Sequence, residues 1–321
     1  MSERFYSNDG AVSAVANIKK SSRICHAYLI TGDEGLGKKT FAKLFAKTLL
    51  CTESDGLACG VCQSCKKVES GAHPDVEYIH SKGTKNSIHI DTVRAIKSGA
   101  YVLPNEGSYR VYIIENAQNM SVSATNALLK VLEDPPPHTL FILTADSSDE
   151  LLETVVSRCV EIKLSPVPAA DVYLALEKAP GQSGEVDAAV KTSGGNIGLA
   201  KKALSDADYK KLRAQAENIS EAIAGKSEYQ MLAAFSACSN KREEIKTTLK
   251  IVCEILREAL SVKAIGGKAG YSAAEKLADI FTTDMLIKTS RALLEALDGI
   301  DKNANTALLL SGTAAKIKSS I

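Results

Sequence analysis

The stretch HAYLITGDEGLGKKTFAKLFAKTLLC, His26 to Cys51, constrains the fold more than any other part of the chain. An apolar run, a glycine-rich turn and an amphipathic run follow one another without a break, which is the order of a buried strand feeding a helix through a tight loop. Gly32, Gly37 and Lys38 satisfy the phosphate-loop pattern G-x-x-x-x-G-K-[ST] up to its last position, with Gly35 between them. In that geometry glycine N–H groups and the helix N-terminus face phosphate oxygens, and the lysine reaches between the outer ones. The pattern gains its weight from context, a strand before it and a helix after it.

Lys39 stands where the pattern asks for a hydroxyl. That hydroxyl normally holds Mg²⁺ across the β- and γ-phosphates, whereas a charged lysine has three donors and no acceptor. Thr40 comes one residue late, which on a helix turns its side chain by about 100°. The second nucleotide element should close a later buried strand. VYIIENAQNM offers Glu115 as the acidic metal-orienting residue and Asn116 in the place of the base. Asparagine takes no proton, and loss of a general base typically costs about 10²–10⁴ in rate. Gly32, Gly35, Gly37, Lys38, Thr40 and Glu115 therefore read as a degenerate nucleotide site. Both a bound ATP or ADP and an empty loop are compatible with it.

Five short apolar, β-rich runs mark the first half: HAYLIT from His26, DVEYIH from Asp75, RVYIIE from Arg110, TLFILT from Thr139 and VEIKL from Val160. Helical patterns fill most gaps. Met120, Ala124, Ala127, Leu128 and Val131 share one face, DPPP at Asp134 stops that helix, and Asp91 reads as the N-cap of another. Strands alternating with helices predict a mostly parallel sheet covered on both faces. After LSPVPAAD at Leu164 the strand signal ends, and from about Asp206 the pattern is all helix. Ile245, Leu249, Val252, Leu256 and Leu260 form one stripe, Leu286, Leu293 and Leu297 another, and AIGGKAGY at Ala264 a loop between helices. The chain of 321 residues is long enough for two or three cores. A formal net charge of +1 provides no global attraction to nucleic acid. The polar start MSERFYSNDG and the lack of a long apolar run predict a cytoplasmic protein with no membrane contact.

Eight cysteines in such a chain point to metal ligands or buried thiols. Cys51, Cys59, Cys62 and Cys65 have the spacing C-x₇-C-x₂-C-x₂-C. Thiolates three positions apart on a turn converge on one tetrahedral centre, and four of them close a structural Zn²⁺ site. Another thiophilic metal, an iron–sulfur cluster included, is the alternative. Cys25, Cys159, Cys238 and Cys253 read as small core residues.

These elements together resemble the clamp-loader branch of the AAA+ family, whose members include the bacterial DNA polymerase III subunits delta-prime and gamma/tau. The resemblance rests on HAYLITGDEGLGKKT, the four-cysteine loop, VYIIENAQNM, ATNALLKVLEDPPPHTLFILTA and SRC at Ser157–Cys159. It implies an AAA+ parallel five-stranded core over 1–165 with the zinc module at 51–65, a small helical lid over 166–205 and a helical collar over 206–321. It also implies a hetero-oligomer with gamma/tau and delta subunits that loads the sliding clamp on primed DNA. Gamma/tau members hydrolyse ATP; delta-prime members resemble them with degenerate sites and keep the SRC arginine, here Arg158, as a finger reaching a neighbour's ATP.

The departures Lys39, Asn116 and Gly198, the last standing where a second-sensor arginine is expected, favour a delta-prime-like, largely non-hydrolysing scaffold. An active gamma/tau-like ATPase subunit, with Thr40 recruited for Mg²⁺, is the alternative. A free-standing zinc-dependent nucleic-acid binder fits less well, because charge is balanced and no basic-aromatic interleaving exists.

Overall fold

The structure is a computed structural model and describes residues 5–21, 24–81, 87–177, 179, 183–238, 241–267 and 269–321. The first four residues of the polar N-terminal stretch lie outside the described residues. The five expected strands are β1 Ala27–Thr31, β2 Val76–Ile79, β3 Arg110–Ile114, β4 Thr139–Ala145 and β5 Val160–Lys163. They form one sheet in the order β2-β3-β4-β1-β5. Every pairing is parallel.

The strands alternate between two cores, as the period of two requires. Tyr28, Ile30, Val111, Ile113 and Ile142 face α1 (Asp9–Ser21), α2 (Lys38–Leu50) and Val68 of α3 (Gln63–Ser70). Ala27, Leu29, Tyr112, Phe141 and Leu143 face Val93 and Ile96 of α4 (Ile90–Ala100) and Leu128 and Val131 of α5 (Val122–Glu133). Val155 of the short α6 (Glu153–Val156) joins the second core. The central strands β1 and β4 are buried at every position, which explains their unbroken apolar runs.

Three boundaries differ from expectation, one of them because the helix Arg242–Ile265 runs on through the first two residues of the expected loop at Ala264. Met120 is extended and bridges Ile88; α5 starts after it, because the Ser121 hydroxyl accepts from the Ala124 N–H and sets the cap there. The N-cap of α4 is His89, while Asp91 lies in the first turn with its carboxylate on Arg94 at 3.0 Å. There it meets the helix dipole rather than a cap N–H. The stop of α5 ahead of Asp134–Pro135 falls as expected.

The rest is helical: α7 Ala169–Leu176, α8 Ser183–Thr192, α9 Ile197–Ser205, α10 Ala207–Ala224, α11 Glu228–Ser236, α12 Arg242–Ile265, α13 Ser272–Ile280, α14 Thr283–Asp301 and α15 Thr306–Ser320. Asp206 caps α10 from its side chain. Ile245, Leu249, Val252 and Leu256 are buried along α12, with Leu260 packed at the margin. Leu286 and Leu293 are buried on α14, with Leu297 beside them.

The chain divides into two compact units, Met1–Asp171 with Asn196–Gly198, and Val172–Gly195 with Leu199–Ile321. Cys25 is exposed, not a core residue as expected, because it precedes β1 rather than lying within it. Cys159, Cys238 and Cys253 are half-buried, and burial pushes their thiols up to about 12, 11 and 11. Among the described residues no helix is long and apolar enough to cross a membrane.

Candidate functional site

The loop Gly32–Gly37 connects β1 to α2 as the sequence predicts, and Gly37 caps the helix in the left-handed region at φ 85° without any side-chain bond. Lys38 opens the helix and is only 8% exposed. Its ammonium donates to the carbonyls of Gly32 and Asp33 and to Asp146 Oδ1, the last two at 3.1 and 2.7 Å. An ammonium has three donors, so the chain's own acceptors use all of them.

Asp146 carries no signature in the sequence; the strand register brings it to the loop. Thr31 pairs with Ala145 in the β1–β4 ladder, and the Gly32 N–H continues it to the Asp146 carbonyl at 3.2 Å. A residue directly after β4 must therefore stand beside the loop. Sites of open parallel sheets lie outside these carboxyl ends.

The metal position is also taken. Lys39, 69% exposed, holds its ammonium 2.9 Å from Glu115 Oε1 and donates to Oε2 at 3.2 Å; Glu115 is 13% exposed. The expected metal-orienting carboxylate thus faces a cation of the chain. Asn116 follows in the left-handed region, exposed, its N–H given to Thr144 Oγ1 at 3.0 Å. Thr40 is half-buried in the first turn of α2. These residues do not fit Mg²⁺: no hydroxyl stands at Lys39, and the Glu115 and Asp146 carboxylates are each paired with a lysine.

Residues Asn196–Gly198 close the loop from the side. Asn196 Nδ2 donates to the Glu34 carbonyl at 2.7 Å, and the Gly198 N–H to the Gly35 carbonyl at 3.0 Å. A Cβ at Gly198 would lie 2.7 Å from the Gly35 oxygen, and one on Gly35 would collide with the Asn196 amide. Both positions require glycine for this approach. An arginine at Gly198 would not fit this conformation, which accounts physically for the departure noted in sequence.

The four cysteines do converge. The Sγ atoms of Cys51, Cys59, Cys62 and Cys65 all lie within 4.8 Å of one another. Cys51 and Cys62 are 3.9 Å apart. A tetrahedral Zn²⁺ with bonds of about 2.3 Å needs sulfur separations of about 3.8 Å, so the set fits. Cys51 ends α2 and Cys62 caps α3. N–H groups point at the sulfurs: Cys59 to Cys51 at 3.5 Å, Cys62 to Cys59 at 3.3 Å and Cys65 to Cys62 at 3.4 Å.

Burial raises the Cys62 thiol, but the Cys65 and Thr52 N–H groups outweigh it and bring it down to about 6. The same contest lowers Cys51, burial against N–H groups of Cys59 and Glu53. Burial and the Cys62 contact push Cys65 up to about 12. Zinc bound here would crosslink the α2–α3 connection and leave no coordination position open.

Arg158 follows α6 and precedes β5. Its guanidinium donates to the Thr154 carbonyl at 2.7 Å and to Glu133 Oε1 at 2.9 Å. Tyr28 pairs with Val160 and Thr31 with Lys163. Arg158 therefore sits at the amino end of the sheet and Gly32 at the carboxyl end, separated by strands rising about 3.3 Å per residue.

A wholly parallel sheet with a glycine loop and lysine after its β1 strand defines a phosphate-loop α/β protein. Residues 7–168 match the family described as DNA polymerase III, delta subunit, and the chain belongs to that family. It is 35% identical over 151 residues to DNA polymerase III subunit delta' of Bacillus subtilis, covering 47% of this chain and 45% of that one. It is 36% identical over 150 residues to the delta' subunit of Pseudomonas aeruginosa, covering 46% and 45%. Against subunit tau of Escherichia coli it is 34% identical over 168 residues, covering 52% and 26%. It matches less than half the length of each of these relatives. Among solved structures, a gamma subunit-related protein of Thermotoga maritima aligns over 95% of this chain and 98% of that one, with 18% identity and a TM-score of 0.44.

Proposed function

We propose that the chain is a delta-prime-like subunit of the DNA polymerase III clamp loader, a scaffold that does not turn over ATP itself. It supplies Arg158 to an ATP site on a neighbouring subunit. In this reading 1–165 is the AAA+ core, 166–205 the lid and 206–321 the collar through which gamma/tau and delta subunits assemble in the cytoplasm. The assembled complex acts on the sliding clamp and primed DNA.

The observation that carries the reading is the position of Arg158. It lies at the opposite end of the sheet from its own loop, half-buried, held by the Glu133 carboxylate, the Thr154 carbonyl and the Ser157 hydroxyl. A finger in this place serves another chain's phosphates or none. The used-up Lys38 and the Lys39–Glu115 pair support the second half, the absence of turnover.

The test is ATP hydrolysis by the complex reconstituted with Arg158→Ala. DNA- and clamp-stimulated hydrolysis is expected to fall, by less than the about 10³–10⁵ that fingers contribute in GTPases, because other sites keep their own. Lys38→Ala in the same chain is expected to change it little. Lys38 essential and Arg158 silent would make this the gamma/tau-like motor subunit.

A further inference from the structure

The loop keeps the shape of a phosphate cradle yet contains its own anion. The geometry points to Asp146 as a resident substitute for phosphate, a residue that determines whether the loop takes nucleotide at all. This rests on the non-motor reading and deepens it, by naming the group that keeps the cradle closed.

Three observations converge. The Asp146 carboxylate is 2.7 Å from Lys38 Nζ, the group that would otherwise reach a terminal phosphate. The remaining donors of that ammonium go to Gly32 and Asp33 carbonyls, so no donor is left for an incoming oxygen. Asn196 and Gly198 fasten Glu34 and Gly35 with the loop in this conformation.

A nucleotide must therefore displace a paired carboxylate and then share the site with it. The surrounding charge opposes that step. Asp33 and Glu34 are exposed on the loop itself, and Glu115 lies beside Lys39. Two lysines stand among four carboxylates, and neither lysine is unpaired. In ordinary phosphate loops Mg²⁺ offsets such crowding; here Lys39 occupies that role and is spent on Glu115. Removing the Asp146 charge should thus open the loop to a nucleoside diphosphate without restoring hydrolysis.

The experiment measures equilibrium binding and thermal melting of the full chain with ADP, with Mg²⁺ and with chelator. Wild-type chain is expected to bind ADP negligibly and to show no rise in melting temperature. Asp146→Asn, which keeps shape and removes charge, should bind about tenfold more tightly or better. Asp146→Ser serves where the amide variant does not fold. Tight ADP binding by wild type, or equal binding by wild type and both variants, overturns the inference. ATP hydrolysis is followed in the same samples. Wild type that binds without hydrolysing removes this inference and leaves the scaffold reading standing, whereas wild type that hydrolyses removes the reading.

Discussion

Helix α2 carries a recognisable motif at each end, and the two ends behave oppositely. At its start Lys38 turns inward, and each of its donors meets an acceptor of the chain. Past its last turn Cys51 meets three other sulfurs, all within 4.8 Å of one another, and the groups that reach them are backbone N–H donors of the same loop. Four thiolates gathered this closely repel one another unless a cation stands between them, so the cysteine end calls for a cation. The lysine end, already balanced, calls for nothing. The lesson is that a motif's binding depends on whether the chain itself supplies the opposite charge, as it does for Lys38 with Asp146 and does not for the four sulfurs.

The comparison breaks most visibly at the cysteine end. Purified protein is expected to carry about one Zn²⁺ per chain, the stoichiometry of a closed four-thiolate site. Cys65→Ser, at the most deeply buried ligand, should lower metal content sharply. Stability should fall by about 4 kcal/mol or more, where loss of a metal falls. Elemental analysis and denaturant unfolding measure both. A protein without stoichiometric metal whose four thiols all titrate freely would mean the sulfurs converge for no ligand. Removal of Lys38, by contrast, should leave the metal untouched.

A third loop sharpens the contrast, because it shows full internal pairing around a lone carboxylate. Asp75 is 1% exposed and accepts from the N–H groups of Asn105, Glu106 and Gly107 at 2.6, 2.8 and 2.8 Å. Burial raises its carboxyl, but those three donors outweigh it and hold it below the ordinary value. A carboxylate lowered in the folded state stabilises above its unfolded pKa of about 3.9 and loses that contribution as pH falls through the folded value. Asp75→Asn is expected to cost about 1–3 kcal/mol at neutral pH, the range for breaking a buried hydrogen-bonded site. The difference between variant and wild type should shrink below about pH 4. Urea unfolding across that range checks it, and a pH-independent difference would assign the effect to shape rather than charge.

How much of this was legible in sequence follows the same division. Local patterns were readable: five strands, the glycine loop, the cysteine spacing and the end of α5 all depend on neighbours along the chain. Helix starts were less so, because a cap depends on which hydroxyl or carboxylate turns back. Ser121 did so and Asp91 did not. The closure of the loop was not readable. Asp146 and Asn196 come from 108 and 162 residues beyond their partners Lys38 and Glu34. Only the β1–β4 register and the turn before α9 bring them in. Glycine at 198 registered in sequence as a missing arginine; in the structure its lack of a Cβ lets the first turn of α9 reach Gly35.

The smallest expected effect is also the most discriminating between the two ends of α2. Lys39→Thr restores the hydroxyl that the phosphate-loop pattern asks for and releases Glu115. The Lys39 side chain is 69% exposed, and exposed ion pairs contribute about 0–1 kcal/mol. Stability should therefore change by less than about 1 kcal/mol, and zinc content not at all. If the missing hydroxyl were what kept nucleotide out, this one substitution would produce Mg²⁺-dependent ADP binding. Asp146 still holds Lys38 in the variant, so no such binding is expected from Lys39→Thr alone. It should appear when Asp146→Asn is added, since only then are donor and hydroxyl both available to the same ligand. Isothermal titration of the single and double variants separates the two outcomes, and binding by Lys39→Thr alone would shift the closure of the loop from Asp146 to Lys39.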